Sequence, residues 1–225
     1  MVIVLGGPDG ALAEVRQRIA AACQRAGRQP EEVVLIAVTK KVPGEMVRRA
    51  AEAGFTDFGE NYVQELERKR QMAPRARWHF VGRLQRNKVR RVLEVADVIH
   101  GLEPGSAAEH LAVVARDRDQ EPVDCLIEVD FTGRRVGVAP EEVDAFVDRM
   151  AGEPGIALRG LMTIPPEGEP SRGYFARLRK MRDRLGARVE TLRDLSMGMS
   201  ADYELAVEEG ATMVRVGTAI FGPRP

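Results

Sequence analysis

The chain has 225 residues, with 34 basic side chains balancing 34 acidic ones, 44% hydrophobic residues and only 5% aromatics. That length suits one large domain with an aliphatic core, and zero formal charge gives no bulk electrostatic pull toward nucleic acid or a membrane surface. The two cysteines, Cys23 and Cys125, make neither a disulfide framework nor a metal cluster, and both are expected to be inert packing residues. The apolar N-terminus lacks the basic region of a secretory signal and no apolar run reaches membrane-spanning length, so a reducing cytoplasm is the expected home.

Residues 11–26 place Leu12, Val15, Ile19 and Ala22 at helical spacing, with Gly27 as a stop. Residues 33–38, VVLIAV, form a continuous aliphatic run of the kind buried on both faces of a parallel sheet. Helix is predicted over 44–53, strand at 57–59 and helix at 62–72. Strand follows at 78–82, helix at 87–95, strand at 98–101 and helix at 106–118. The run 122–130 is a strong strand, 141–150 a helix, 157–164 a strand and 174–185 a helix. A short strand at 191–196, a helix at 202–209 and a last strand at 213–217 complete the order. Eight strand segments separated by helices predict parallel βαβ units closing into a single (β/α)₈ barrel over 1–225, with an extra N-terminal helix. The competing architecture, an open doubly wound sheet, normally carries a glycine-rich turn after its first strand. Here that strand ends in Thr39-Lys40-Lys41. The loop 165–171, with three prolines and a glycine, is expected to be a mobile surface connection.

Functional groups of such barrels gather at the C-terminal ends of the strands. Lys40 follows directly on an apolar strand, where burial disfavours the charged form, and a neutral amine is what attack on a carbonyl requires. A surface lysine covering the rim with its stem accounts for the same position equally well. Extended geometry sends the neighbouring Lys41 to the opposite side. SMGMS, with Met199 and Ser200, opens the helix near Asp202, which Ser200 is placed to cap. RVGTAIFG brings Arg215, Gly217 and Thr218 to the end of the eighth strand. Loops after strands seven and eight are the usual phosphate site of this fold. Each cluster alone is explained by capping or a turn; the two together favour a phosphate. Asn61 and His79 end the second and third strands, and His79 suits either a ligand or a structural hydrogen bond, with no partner spacing for a metal. The basic run Arg83, Arg86, Lys88, Arg90 and Arg91 lacks interleaved aromatics and reads as a solvated helix face, not a nucleic-acid surface.

IAVTKKVP, FGENYVQE, WHFVGRLQRNK, RGLMTI and LSMGMSADYELAVEEGATMVRVGTAIFG, in this order and spacing, resemble the pyridoxal phosphate homeostasis proteins. These were formerly called proline synthase co-transcribed proteins and are related to the barrel domain of bacterial alanine racemase. The likeness runs over residues 33–222. It implies a barrel of the alanine racemase N-terminal type that binds pyridoxal 5′-phosphate (PLP), with Lys40 as the aldimine lysine. Ser200, Gly217 and Thr218 are then implied as phosphate ligands, Met199 lies in the same turn, and Arg215 stands beside the phosphate. Asn61 and His79 are implied near the ring or its 3′-oxygen. The family often has a second lysine two residues beyond the aldimine lysine; this chain has Val42 there and Lys41 next door, which puts any role of that extra lysine in doubt here.

Alanine racemase sets two opposed bases about the substrate carbon, and its second base resembles a tyrosine from a C-terminal β-domain. This chain ends at Pro225, and Tyr62, Tyr174 and Tyr203 all fall on predicted helices, poorly placed to oppose Lys40. Losing one of an acid–base pair costs about 10²–10⁴-fold. The expected function is therefore vitamin B6 homeostasis: reversible PLP binding by a monomer, delivery to apo-enzymes, and no catalytic residues. A low-activity PLP-dependent amino-acid racemase is the alternative, and an inert scaffold that binds no cofactor is a third.

Overall fold

The computed structural model describes residues 7–118 and 120–223. Helix α1 (Gly7–Arg25) precedes β1 (Val34–Val38), α2 (Gly44–Glu52), β2 (Asp57–Glu60), α3 (Val63–Arg70) and β3 (Arg77–Phe80). Then come α4 (Val89–Val95), β4 (Val98–Leu102), α5 (Ser106–Arg116), β5 (Val123–Glu128) and α6 (Val143–Ala151). The chain finishes with β6 (Ile156–Met162), α7 (Arg172–Gly186), β7 (Asp194–Ser196), α8 (Tyr203–Glu208), β8 (Met213–Val216) and α9 (Thr218–Phe221). Each strand pairs in parallel with the next, and β8 returns to β1, with Val34 opposite Met213 and Ala37 opposite Val216. The sheet is a closed barrel, so the open alternative is excluded. Helix α9 has no counterpart in the sequence reading, because four residues are too few to leave a periodic pattern.

The strands are buried on both faces, and their two sets of side chains enter two cores. Ala37, Phe58, Trp78, Ile99 and Cys125 join the main core between the barrel and its helices. Ile36, Val98, Leu126, Met162 and Met213 form a smaller cluster, which the period-two alternation of a strand assigns to the barrel interior. Cys23 and Cys125 are fully buried, and burial pushes both thiols up, so neither offers a thiolate at neutral pH. Closure between β6 and β7 depends on Gly160: a Cβ there would lie 2.0 Å from the Asp194 carbonyl oxygen.

Helix α1 buries Leu12, Val15, Ile19, Ala22 and Cys23 and packs against α8 and α9. Ion pairs from Arg18 to Glu204 and from Arg25 to Glu208 (2.7 Å) edge this contact. At these exposures each adds little; the apolar face does the holding, and it braces the loops after β7 and β8 from outside. Among the described residues no helix is long and apolar enough to cross a membrane, and no group of three or more His, Cys, Asp or Glu could hold a metal ion.

Candidate functional site

A cavity of about 260 Å³ opens at the C-terminal mouth of the barrel. Seven of the eight residues singled out from the sequence line it: Lys40, Asn61, Met199, Ser200, Arg215, Gly217 and Thr218. Its size falls below the roughly 300–1,000 Å³ of sites for drug-sized ligands, which suits a small one. A larger cavity, about 700 Å³, lies under α1 near Val34 and Asp57 at the opposite ends of β1 and β2. It brings no amine together with an anion cradle, so the mouth cavity is the chemically organised one.

Lys40 is partly buried directly after β1. The Thr39 N–H extends the ladder to the Gly59 carbonyl (2.9 Å), and the Val42 N–H then turns back onto the Thr39 carbonyl (2.8 Å). Lys41 sits inside this turn with φ +61°, the one non-glycine residue with positive φ among those described. It is exposed, as expected, but a left-handed turn rather than strand alternation sends it away. Val42, at the place of the family's second lysine, is buried.

Ser200 departs from the expected role. Asp202 holds the N-cap position of α8, and the Ser200 hydroxyl instead accepts hydrogen bonds from the Gly217 and Ala219 N–H groups, both at 3.2 Å. The loop after β7 therefore leans on the start of α9, whose first amides lack partners inside the helix. With those two amides bound to its oxygen, Ser200 keeps its own O–H as a donor beside the Thr218 hydroxyl, and the pair matches the chemistry of an anion such as a phosphate.

Arg215 forms part of the cavity wall from within the barrel. It is 5% exposed and donates to the Thr163 carbonyl (3.0 Å) and to the Ser196 hydroxyl. Burial pushes its guanidinium down to about 10, with Glu128 opposing, so it stays cationic at neutral pH. Burial pushes Glu128 itself up to about 7 despite Arg215 and Arg135.

His79 does not reach the cavity. It is fully buried inside the barrel, and both ring nitrogens are engaged: Nε2 with Asp57 Oδ1 and Nδ1 with His100 Nε2, each at 3.0 Å. His100 Nδ1 continues to the Ser196 hydroxyl at 3.0 Å. The inventory of donors fixes the direction. The Asp57 carboxylate only accepts, so His79 carries its hydrogen on Nε2 and accepts at Nδ1 from His100 Nε2–H. His100 Nδ1 then accepts from the Ser196 O–H, whose lone pair takes the Arg215 N–H. His79 thus belongs to a buried chain of hydrogen bonds that ends on Arg215, and it is not among the residues lining the cavity.

Burial pushes both imidazoles below their ordinary value, His100 well below it. For Asp57, burial pushes the carboxyl up, but hydrogen bonds from His79 and Thr56 outweigh it and leave the group low. As pH falls below about 6.5, unfolded imidazoles take up protons that the buried rings refuse, so stability is lost at up to about 1.4 kcal/mol per pH unit per ring. Glu128 acts in the opposite sense. Its folded carboxyl keeps a proton up to about pH 7, whereas an unfolded one releases it above about 4.3, so it favours the fold as pH falls through that window. Glu128→Gln is expected to steepen the acid loss between about pH 5 and 6.5 by up to about 1.4 kcal/mol per unit. Urea midpoints across that range measure the slope, and an unchanged slope contradicts the assignment.

The tyrosines do not contribute to the mouth cavity. Tyr62 is exposed just ahead of α3, Tyr174 donates to Glu169, and Tyr203 is buried with the Arg18 guanidinium 5.3 Å from its ring. Tyr62 lies one residue outside the helix predicted to contain it and serves as the N-cap residue of α3.

The geometry of the barrel and its mouth corresponds to a known class of protein. The family model for the alanine racemase N-terminal domain matches residues 11–225. A pyridoxal phosphate homeostasis protein of Aquifex aeolicus is 40% identical over 221 residues, covering 95% of this chain and 96% of the relative. This chain belongs to the pyridoxal phosphate homeostasis protein family. Among solved structures, PipY of Synechococcus elongatus PCC7942 with PLP bound is 36% identical, with a TM-score of 0.81, covering 92% of this chain and all of that one. An alanine racemase from Corynebacterium glutamicum, 20% identical with a TM-score of 0.67 over 95% of this chain and 62% of its own, shares the fold.

Proposed function

We propose that this protein holds pyridoxal 5′-phosphate as a Schiff base on Lys40 and serves as a cytoplasmic reservoir that hands the cofactor to apo-enzymes. The observation that carries the reading is one small cavity lined by both an amine, Lys40, and phosphate-suited hydroxyls at Ser200 and Thr218, with Gly217 between the two loops leaving room for the anion. In its uncharged form the Lys40 amine would add to the aldehyde carbon, with a C=N bond forming and water leaving; addition of water would reverse the step and free the cofactor. Asn61 and Arg215 supply the remaining polar contacts in the wall, and PLP when bound offers an electrophilic aldehyde and an electron-accepting ring.

Support for a carrier without dedicated turnover comes from the lining. Among the described residues it offers Lys40 as an amine but no carboxylate, histidine, tyrosine or thiol as a second base. Proton transfer on both faces of a substrate carbon needs two such groups.

The test is borohydride reduction of the protein loaded with PLP, followed by peptide mass mapping and an amino-acid turnover panel. One adduct per chain on Lys40 with no racemization is expected. Absence of any adduct overturns the attachment, and turnover that disappears in Lys40→Ala overturns the carrier role.

A further inference from the structure

The two residues flanking Lys40 are gripped by charges that the cofactor chemistry itself does not use. Glu60 ends β2, and Glu65 and Lys69 lie four residues apart on α3, hence on one helix face. Lys69 is 6% exposed and Glu60 is fully buried. The Lys69 ammonium donates at 2.6 Å to each of three oxygens: the Thr39 carbonyl, Glu60 Oε1 and Glu65 Oε2. An ammonium has three hydrogens, so its donors are all spent.

The carboxylates complete the grip. Glu60 Oε1 also accepts from the Thr39 hydroxyl (2.9 Å), and Oε2 accepts from the Asn61 N–H (3.0 Å). Glu65 Oε2 accepts from the Lys41 N–H (3.0 Å). Thr39, immediately before Lys40, is therefore held by its carbonyl and hydroxyl. Lys41, immediately after, is held by its N–H in a left-handed conformation that L-residues avoid. Asn61, directly after the neighbouring strand β2, is tied to the same cluster. Burial pushes Glu65 up, but Lys69 and the Lys41 N–H outweigh this and keep it ionised.

Well-packed aliphatic residues generally stabilise such a place at least as well as buried ions. None of the three side chains lines the mouth cavity. Their bonds converge on the backbone that carries Lys40 and on Asn61. We infer that Glu60, Glu65 and Lys69 are positioning residues that set the backbone of the Thr39–Lys41 turn and so aim the Lys40 amine at the cofactor aldehyde. The inference rests on Lys40 being the attachment point.

Comparing two vitamers separates aiming from folding. Pyridoxine 5′-phosphate has the ring and phosphate of PLP but no aldehyde, so its binding does not require an aimed amine. Lys69→Met is expected to weaken PLP binding roughly tenfold or more, the scale of a lost charge-assisted hydrogen bond. It should also slow borohydride-fixable adduct formation, while pyridoxine 5′-phosphate affinity stays within about twofold. Equal weakening of both vitamers, or no change in either, overturns the inference. If Lys69→Met does not fold, Glu65→Ala releases only the partly exposed side of the clasp and reads the same ratio, with the same two overturning results. Wild-type protein giving no adduct on Lys40 would instead defeat the attachment on which the inference rests.

Discussion

Lys40→Ala is expected to abolish, not merely reduce, the adduct fixed by borohydride, because no neighbouring lysine can replace it. Lys41 is adjacent in sequence but exposed, and its φ of +61° turns it out of the strand direction. Its N–H is clasped by Glu65, so rotating the peptide to bring the side chain inward would break that bond. Lys69 is buried, with its ammonium saturated by three oxygens, and it does not line the cavity. An ammonium in that state has no lone pair for a carbonyl. The variant should still bind PLP through the cradle of Ser200, Gly217 and Thr218, now without covalent capture. Intact mass after reduction measures the difference: one adduct per wild-type chain and none in the variant. An adduct that persists and maps to Lys41 would show that the turn does not select between the two amines.

Gly82→Ala is expected to damage both the fold and the site. A Cβ at Gly82 would lie 2.1 Å from the Asn61 carbonyl oxygen and 2.8 Å from its carbonyl carbon. These are backbone atoms, and the chain end of β2 is held in place by the Glu60 bond to the Asn61 N–H. The clash therefore cannot be absorbed by rotating a side chain. Overpacking of this kind costs about 1–3 kcal/mol and occasionally more, and backbone against backbone lies at the upper end. Because Asn61 lines the mouth cavity, its displacement should weaken cofactor uptake as well. Gly173, in α7, is the control: a Cβ added there would meet nothing within 4 Å, and its φ is ordinary. Gly173→Ala is expected to be neutral or to stabilise by up to about 1 kcal/mol. Urea midpoints and PLP titrations of the two variants should diverge in both readouts. Equal behaviour would mean that the approach of Gly82 to Asn61 is not a constraint.

The alternation of strands and helices is legible in the sequence because each element is a local pattern. VLIAV in β1 and the aliphatic runs of β5 and β6 need no partner to declare themselves. Lys40 is legible because it ends the first such run, and the clusters around Ser200 and Gly217 because they end the last two. The departures have a common origin. Sequence order ties Ser200 to the helix that follows it, but its hydrogen bonds go to Gly217 and Ala219, which only the folding of one loop over another makes adjacent. His79 lies near the end of a strand, yet its position inside the barrel and its link to His100 depend on the register of β3 against β4. No residue-type signal marks Lys69 at all, since a helical lysine four residues after a glutamate looks like an ordinary surface pair.

From its own residues, then, the chain specifies eight strand and helix units and the two ends of its candidate site, an amine after the first strand and small donors after the last two. Assembly of the strands into the barrel decided what needs two distant segments to meet. It brought Ser196 to His100, 96 positions away, and the pairing of β1 with β2, which α3 follows, brought Lys69 to the Thr39 carbonyl, 30 positions away. The reason is the range of the forces involved. Hydrophobic periodicity is written along a few consecutive residues, whereas a hydrogen bond acts over about 3 Å in space and leaves no mark on the spacing of its partners.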